Sequence, residues 1–150
     1  MSSFADAAPY LTMVKLHAAD HLTYLRANQI LKQSGITVQQ ALILHYLFRC
    51  SDRKVNQKDI ELFMGISNPS VTSLMKTMVA KNLIRRLPDR SDARSYLLCL
   101  TERGDQLQTS IAQAFEQLLR ELHAGLSETE LQQLRCLLDK VASNLTAACH

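Results

Sequence analysis

Between residues 68 and 77 the chain concentrates side chains that can hydrogen-bond a polyanion: Asn68, Ser70, Thr72, Ser73, Lys76 and Thr77. Short hydroxyl and amide groups bond either base edges or phosphate oxygens and let a backbone approach them closely. An amine among them neutralises phosphate. At helical spacing Ser70, Ser73, Lys76 and Thr77 share one face, and Val71, Leu74, Met75 and Met78 share the opposite one. Asn68 suits the N-cap and Pro69 the first helical position, where its missing N–H is harmless. The N–H groups of that first turn, around Pro69 to Thr72, also favour a phosphate. A solvated amphipathic helix would look similar in isolation. What distinguishes this one is its place between a glycine turn at Gly65 and a basic hairpin.

The hairpin is read from LIRRL and SYLLCL, two strand-like runs separated by the polar stretch PDRSDAR. Its tip carries Arg90 and Arg94 with Asp89 and Asp92. An arginine at the end of a stiff β-ribbon can enter a minor groove, where narrow A·T-rich segments concentrate negative potential. Asp92 can pair with Arg94 and orient it. The same four charges could instead only solubilise the loop, a role that suits Asp89 best.

Charge supports this reading. Residues 76–103 hold Lys76, Lys81, Arg85, Arg86, Arg90, Arg94 and Arg103 against Asp89, Asp92 and Glu102, a net of +4 where the whole chain carries +3. Positive charge gathered on one module is what phosphate contact requires, because each neutralised phosphate releases counterions.

The elements that position these groups follow from apolar spacing and caps. Residues 9–32 read as a long helix, with Leu11, Val14, Ala18, Leu22, Leu25 and Ile30 mostly three or four apart and Gly35 past its end. Thr37 with Gln40 makes a capping box for a second, buried helix over 37–50. A third helix spans 56–64 and stops at Gly65. The polar-faced helix follows, to about residue 82. Beyond the hairpin, Thr101 caps a fifth helix carrying Leu107, Ile111, Phe115, Leu118 and Leu122. Gly125 ends it, and Ser127 with Glu130 starts a last helix bearing Leu131, Leu134, Leu138, Val141 and Leu145. These outer helices are too apolar to be covered by one small lobe, so a symmetric dimer pooling both termini is expected in preference to a self-covering monomeric bundle.

With 47% apolar and 21% charged residues, four glycines and three prolines, the chain reads as one soluble, largely helical domain. Its longest nearly apolar run, residues 41–48, is too short to span a bilayer, and no secretion signal is read at its start. The cytoplasm is the expected location, with no membrane partner. Cys50, Cys99, Cys136 and Cys149 form no zinc-finger spacing and are expected to be reduced, with oxidation sensing by one of them as a minor alternative. No metal and no cofactor is expected. Without a glycine-rich phosphate loop, a G-x-S-x-G elbow or an HExxH helix, an enzyme is not expected.

A second set of groups suits a small ligand. His17 and His21 lie four apart on the first helix, with Tyr24 three beyond. His45 and Arg49 lie four apart on the second. Together they could offer imidazole, phenol and guanidinium to a carboxylate or phenolate. The plainer alternative is that the histidines bond across a dimer or sit in solvent.

The stretch from about residue 37 to 104 resembles the MarR (multiple antibiotic resistance regulator) family of winged helix-turn-helix transcription factors. MGISNPSVTSLMKTMVAKNLI carries the match for the turn and recognition helix, RRLPDRSDAR for the wing, and LLCLTERG for the returning strand and next helix start. Asp92 and Arg94 match the family's D-x-R signature. Ala93 stands where many members have another basic residue, a charge Arg90 can supply. The resemblance implies a mainly α (α+β) fold, a winged helix-turn-helix lobe at 37–103 with a two-stranded wing, and helical dimerisation arms at 1–35 and 104–150. It implies a homodimer on a pseudo-palindromic operator in double-stranded DNA, acting as a repressor or, less often, an activator, with DNA released when a small anionic or phenolic effector binds. Two alternatives stay open: a winged-helix module whose basic face binds an acidic protein, and a regulator that senses oxidation through a cysteine.

Overall fold

The structure is a computed structural model that describes residues 10–90 and 92–148, with the side chains of residues 92–94 outside that description. Helix α1 spans Leu11–Leu31 and tightens into a 3-10 turn at Lys32–Ser34, closed by Gly35 in the left-handed conformation at φ 68°. The expected start at Pro9 lies outside the described residues. Helix α2, Val38–Arg49, begins at the capping box read from Thr37 and Gln40, with both reciprocal bonds formed at 3.3 and 3.2 Å. Helix α3, Gln57–Met64, has a second capping box, Asn56 with Asp59, which the sequence reading missed because Asp in place of Glu or Gln breaks the usual pattern.

Helix α4, Asn68–Ala80, starts one residue earlier than expected. Ser67 is the extended N-cap residue, Asn68 is already helical, and Pro69 is second. Asn68 does not act as the cap: its Nδ2 donates to Glu61 on α3, and its Oδ1, the atom a cap would use, meets the Thr72 hydroxyl at 3.5 Å. Strands β1, Ile84–Asp89, and β2, Asp92–Leu100, pair antiparallel from Ile84–Leu100 to Pro88–Tyr96, and a register shift then brings Asp89 opposite Asp92. The loop expected over PDRSDAR is therefore mostly strand. Pro88 is tolerated because a two-stranded ribbon leaves one edge of each strand unpaired.

The fifth helix divides. Thr101 caps α5, Glu102–Gln106, by accepting the Gly104 N–H at 3.1 Å, and the chain bends at Leu107 into α6, Gln108–His123. Gly125, at φ 80°, leads to α7, Glu128–Ala148, whose start is held by Ser127 and Glu130 as expected.

One core binds the central lobe. Val71, Met75 and Met78 of α4 meet Ile43, Leu44 and Leu47 of α2, Ile60 of α3, Leu83, Ile84 and Leu98 of the hairpin, and Ile111 of α6. Each such buried side chain contributes roughly 1.5–3 kcal/mol. The outer helices differ. In α1 the stripe read from spacing does not face this core: Leu11, Val14, Leu22 and Leu25 are exposed, and only Ala27 and Leu31 are buried. In α7 only Leu131 is buried among the described residues, while Leu134, Leu137, Leu138 and Leu145 are exposed. The α1–α6 contact is fastened by Arg26, which meets both carboxylate oxygens of Glu121 at 2.6 and 2.7 Å. No helix among the described residues is long and apolar enough to cross a membrane.

Candidate nucleic-acid interface

Helix α4 is anchored on one side and open on the other. Toward α3, Asn68 donates from Nδ2 to Glu61 Oε1 at 2.5 Å, and Gln57 donates from Nε2 to Thr72 Oγ1 at 2.8 Å. Two of the residues expected to contact a ligand are thus already engaged in holding the helix-turn-helix together. The outward face keeps Pro69, Ser70, Ser73, Lys76 and Thr77, all exposed. Ser70 shares a 3.1 Å hydroxyl contact with Ser67, and Thr77 donates to the Ser73 carbonyl at 3.1 Å. That bond occupies the Thr77 proton and leaves its oxygen able to accept, whereas Ser73 and Lys76 present their groups directly outward.

The hairpin lies beside this face. Arg90 is exposed at its turn. Asp92 and Arg94 belong to the backbone of β2, and the expected ion pair between their side chains lies outside the described residues. Asp89 is largely covered, and Lys54 reaches it at 3.4 Å from the α2–α3 connection. The same connection pairs with β2, through an Asn56–Leu97 bridge and a 2.8 Å bond from Leu98 N–H to the Val55 carbonyl. The α2–α3 connection thus braces the ribbon at Leu97 and Leu98 of β2 and at Asp89 of β1.

A notch of about 340 Å³ between α3, the start of α4 and the hairpin brings Lys58 and Arg86 together beside Asn68, Ser95 and Tyr96. In the sequence Arg86 contributes only to the basic charge of the hairpin, and Lys58 carries no signal of its own. Strand alternation sets Arg86 opposite Leu98 on the ribbon, but nothing in the sequence places α3 against that face.

The five groups considered for a small ligand are not gathered as expected. The His17 and His21 rings stack 6.2 Å apart on the exposed side of α1. Tyr24 packs partly buried against the core, and His45 is set edge-on to Phe115 at 6.0 Å. Arg49 is exposed at the end of α2. A cavity of about 900 Å³ lies elsewhere, between α1, α6 and α7, walled chiefly by Leu16, Leu22, Leu118, Leu122, Leu134 and Leu138, and none of the five lines it. Beside it, the Arg26 guanidinium holds the Glu121 carboxyl down to about 2.

The cysteines are scattered. Cys50 is half-buried with its Sγ 3.1 Å from Arg53 Nη2, which also donates to the Tyr46 hydroxyl at 2.6 Å. The thiol contact is the main cause that raises the Arg53 guanidinium, and burial is the main cause that raises the Tyr46 phenol. Cys99 is half-buried in β2, Cys136 is exposed on α7, and Cys149 lies outside the described residues. Among the described residues no group of His, Cys, Asp and Glu is arranged to hold a metal ion.

Comparison with known proteins gives a consistent picture. A sequence profile described as MarR family matches residues 34–95. The HTH-type transcriptional regulator MgrA of Staphylococcus aureus is 26% identical over 115 residues, 77% of this chain and 76% of that protein. The homoprotocatechuate degradative operon repressor of Escherichia coli is 28% identical over 131 residues, 87% of this chain and 86% of that one. The crystal structure of an S. aureus MepR–DNA complex superposes with a TM-score of 0.82 at 28% identity, covering 91% of this chain and 98% of that chain.

Proposed function

We propose that this chain, which belongs to the MarR family of winged helix-turn-helix transcriptional regulators, acts in the cytoplasm as a dimeric repressor of genes next to a pseudo-palindromic operator. The observation that carries this reading is the open face of α4, with Ser70, Ser73, Lys76 and Thr77 exposed beside a braced hairpin that ends in Arg90. α4 enters a major groove, where Ser73, Lys76 and Thr77 read base edges and the first turn faces a phosphate. The ribbon carries Arg90 and Arg94 to the adjacent minor groove, with Asp92 orienting Arg94. Lys58 and Arg86 lie where the backbone passes between α3 and the hairpin, and add phosphate contacts.

Two copies are joined through α1, α6 and α7. The exposed leucines of these helices, such as Leu22 at 62% and Leu145 at 64%, are the apolar groups that a second copy would cover. A small anionic or phenolic effector relieves repression, and His17, His21 and Tyr24 on α1 with His45 and Arg49 on α2 are the groups whose chemistry suits it. The comparison with an operon repressor supports the repressor assignment.

Fragment selection from the source genome, followed by competition against unrelated DNA, tests this. Specific binding at least ~10³-fold tighter than non-specific binding is expected. Equal binding to all sequences would remove the regulator reading and favour a basic face for an acidic protein.

A further inference from the structure

We propose that Lys81 is a positioning residue that ties the recognition helix to the dimerisation arm and so sets the operator spacing the dimer accepts. The inference rests on the DNA-binding reading above. Lys81 follows the last residue of α4 and would ordinarily be counted among the phosphate-contacting cations of this basic module. Its side chain goes elsewhere. The ammonium donates to the Gly35 carbonyl at 3.0 Å and to Gln40 Oε1 at 3.3 Å, at the corner between α1 and α2.

That corner is rigid. Gln40 is 2% exposed, and its Oε1 also accepts the Thr37 N–H at 3.2 Å. The next N–H, of Val38, donates to Asn28 Oδ1 on α1 at 2.8 Å. A short polar path therefore runs from the end of α4 through Lys81 to α1, the helix whose exposed leucines meet the partner. The chain leaving α4 is held from the other side as well. Asn82 takes the left-handed conformation at φ 54°, and its carbonyl accepts from Thr101 Oγ1 at 2.6 Å. The Leu83 carbonyl accepts the Thr101 N–H at 3.2 Å, and Thr101 is the cap from which α5 leads into α6. Both arms thus grip the C-terminal end of the recognition helix, whereas its N-terminal end is hydrogen-bonded to α3 through Asn68 and Thr72. Any change in arm geometry moves α4 from this end. Lys81 is the adjustable half of the grip, because a side chain on a flexible stem can be removed without breaking the two bonds that Thr101 supplies from its hydroxyl and its N–H.

The test compares the full chain with Lys81→Met, which keeps the apolar stem, and Lys81→Arg, which keeps the donors. Amide hydrogen exchange should quicken at residues 79–83 and 35–38 in Lys81→Met and stay near the parent in Lys81→Arg. On DNA carrying the selected half-sites at spacings that differ by single base pairs, Lys81→Met should lose several-fold affinity at the preferred spacing. It should also discriminate less between spacings, with half-site base preference and salt slope unchanged. Unchanged exchange and unchanged spacing preference would overturn the inference. A salt slope lowered by about one would also overturn it, by making Lys81 a phosphate contact. A parent protein that selects no two-half-site DNA would sink the DNA-binding reading itself. A parent that does select one, with Lys81→Met keeping its spacing preference, would sink only the role of Lys81.

Discussion

Asn68 at the start of α4 donates to Glu61 on α3 at 2.5 Å, so a residue whose type suits base reading is spent on joining the two helices of the helix-turn-helix. Thr72 is tied to Gln57 in the same way, one turn later. The face of α4 left open to a ligand is therefore narrower than the run of polar residues from 68 to 77.

This division is testable by paired substitutions. Asn68→Ala should lower stability by about 0.5–1.5 kcal/mol, the usual worth of one such bond, and leave the sequence profile selected from random DNA unchanged. Ser73→Ala should do the reverse, with little change in melting and an altered profile. A profile that shifts with Asn68 and stays fixed with Ser73 would exchange their roles.

The wing contact is expected to be electrostatic. Arg94→Ala should weaken DNA binding strongly and reduce the slope of log affinity against log salt by about 0.9 for one lost phosphate neutralisation. Anisotropy titrations over a range of salt read both quantities, and an unchanged affinity and slope would rule out the contact.

Dimerisation should depend on α7. Truncation before Ser127 removes Leu131, Leu134 and Leu138 and opens the wall of the 900 Å³ cavity. Sedimentation should then report a monomer with weak affinity for paired half-sites. A truncated chain that sediments as a dimer would assign the interface to α1 and α6 alone.

The Arg26–Glu121 pair gives stability a defined pH dependence. The folded Glu121 carboxyl sits near 2, below its ordinary value of 4.5, so its contribution is fully present above the ordinary value and is lost as pH falls toward 2. Both side chains are exposed to solvent, at 43% and 40%, so the effect is modest and salt-sensitive. The melting difference between the parent and Glu121→Gln should therefore shrink between pH 5 and pH 2. A difference that is constant over this range would mean that the pair adds no stability of its own.

Gly104 is expected to tolerate no side chain. A Cβ there would overlap the Leu83 carbonyl oxygen, where α5 abuts the root of the hairpin. Gly104→Ala should destabilise by about 1–3 kcal/mol, as overpacking of a closed site does, and should separate the hairpin from the arm. Melting equal to that of the parent would mean that the two backbones can part without loss.

Local signals in the sequence were enough for the hairpin, most caps and the helices other than the α5–α6 break at Leu107, because periodicity, Gly35, Gly65 and the Thr37–Gln40 and Ser127–Glu130 boxes act within a few residues of themselves. The basic module and the polar face of α4 were legible for the same reason. Tertiary structure alone decided which polar groups remain free. Asn68, Thr72 and Lys81 look like ligand contacts in the sequence and are claimed by partners 7, 15 and 41 residues away. It also decided that Lys58 and Arg86 share a notch, that His45 turns onto Phe115, and that the leucine stripe of α1 faces away from its own core. The physical reason is common to all of these. A side chain's chemistry is fixed by its type, but whether that chemistry is available depends on which distant donor, acceptor or apolar surface the fold brings to it first.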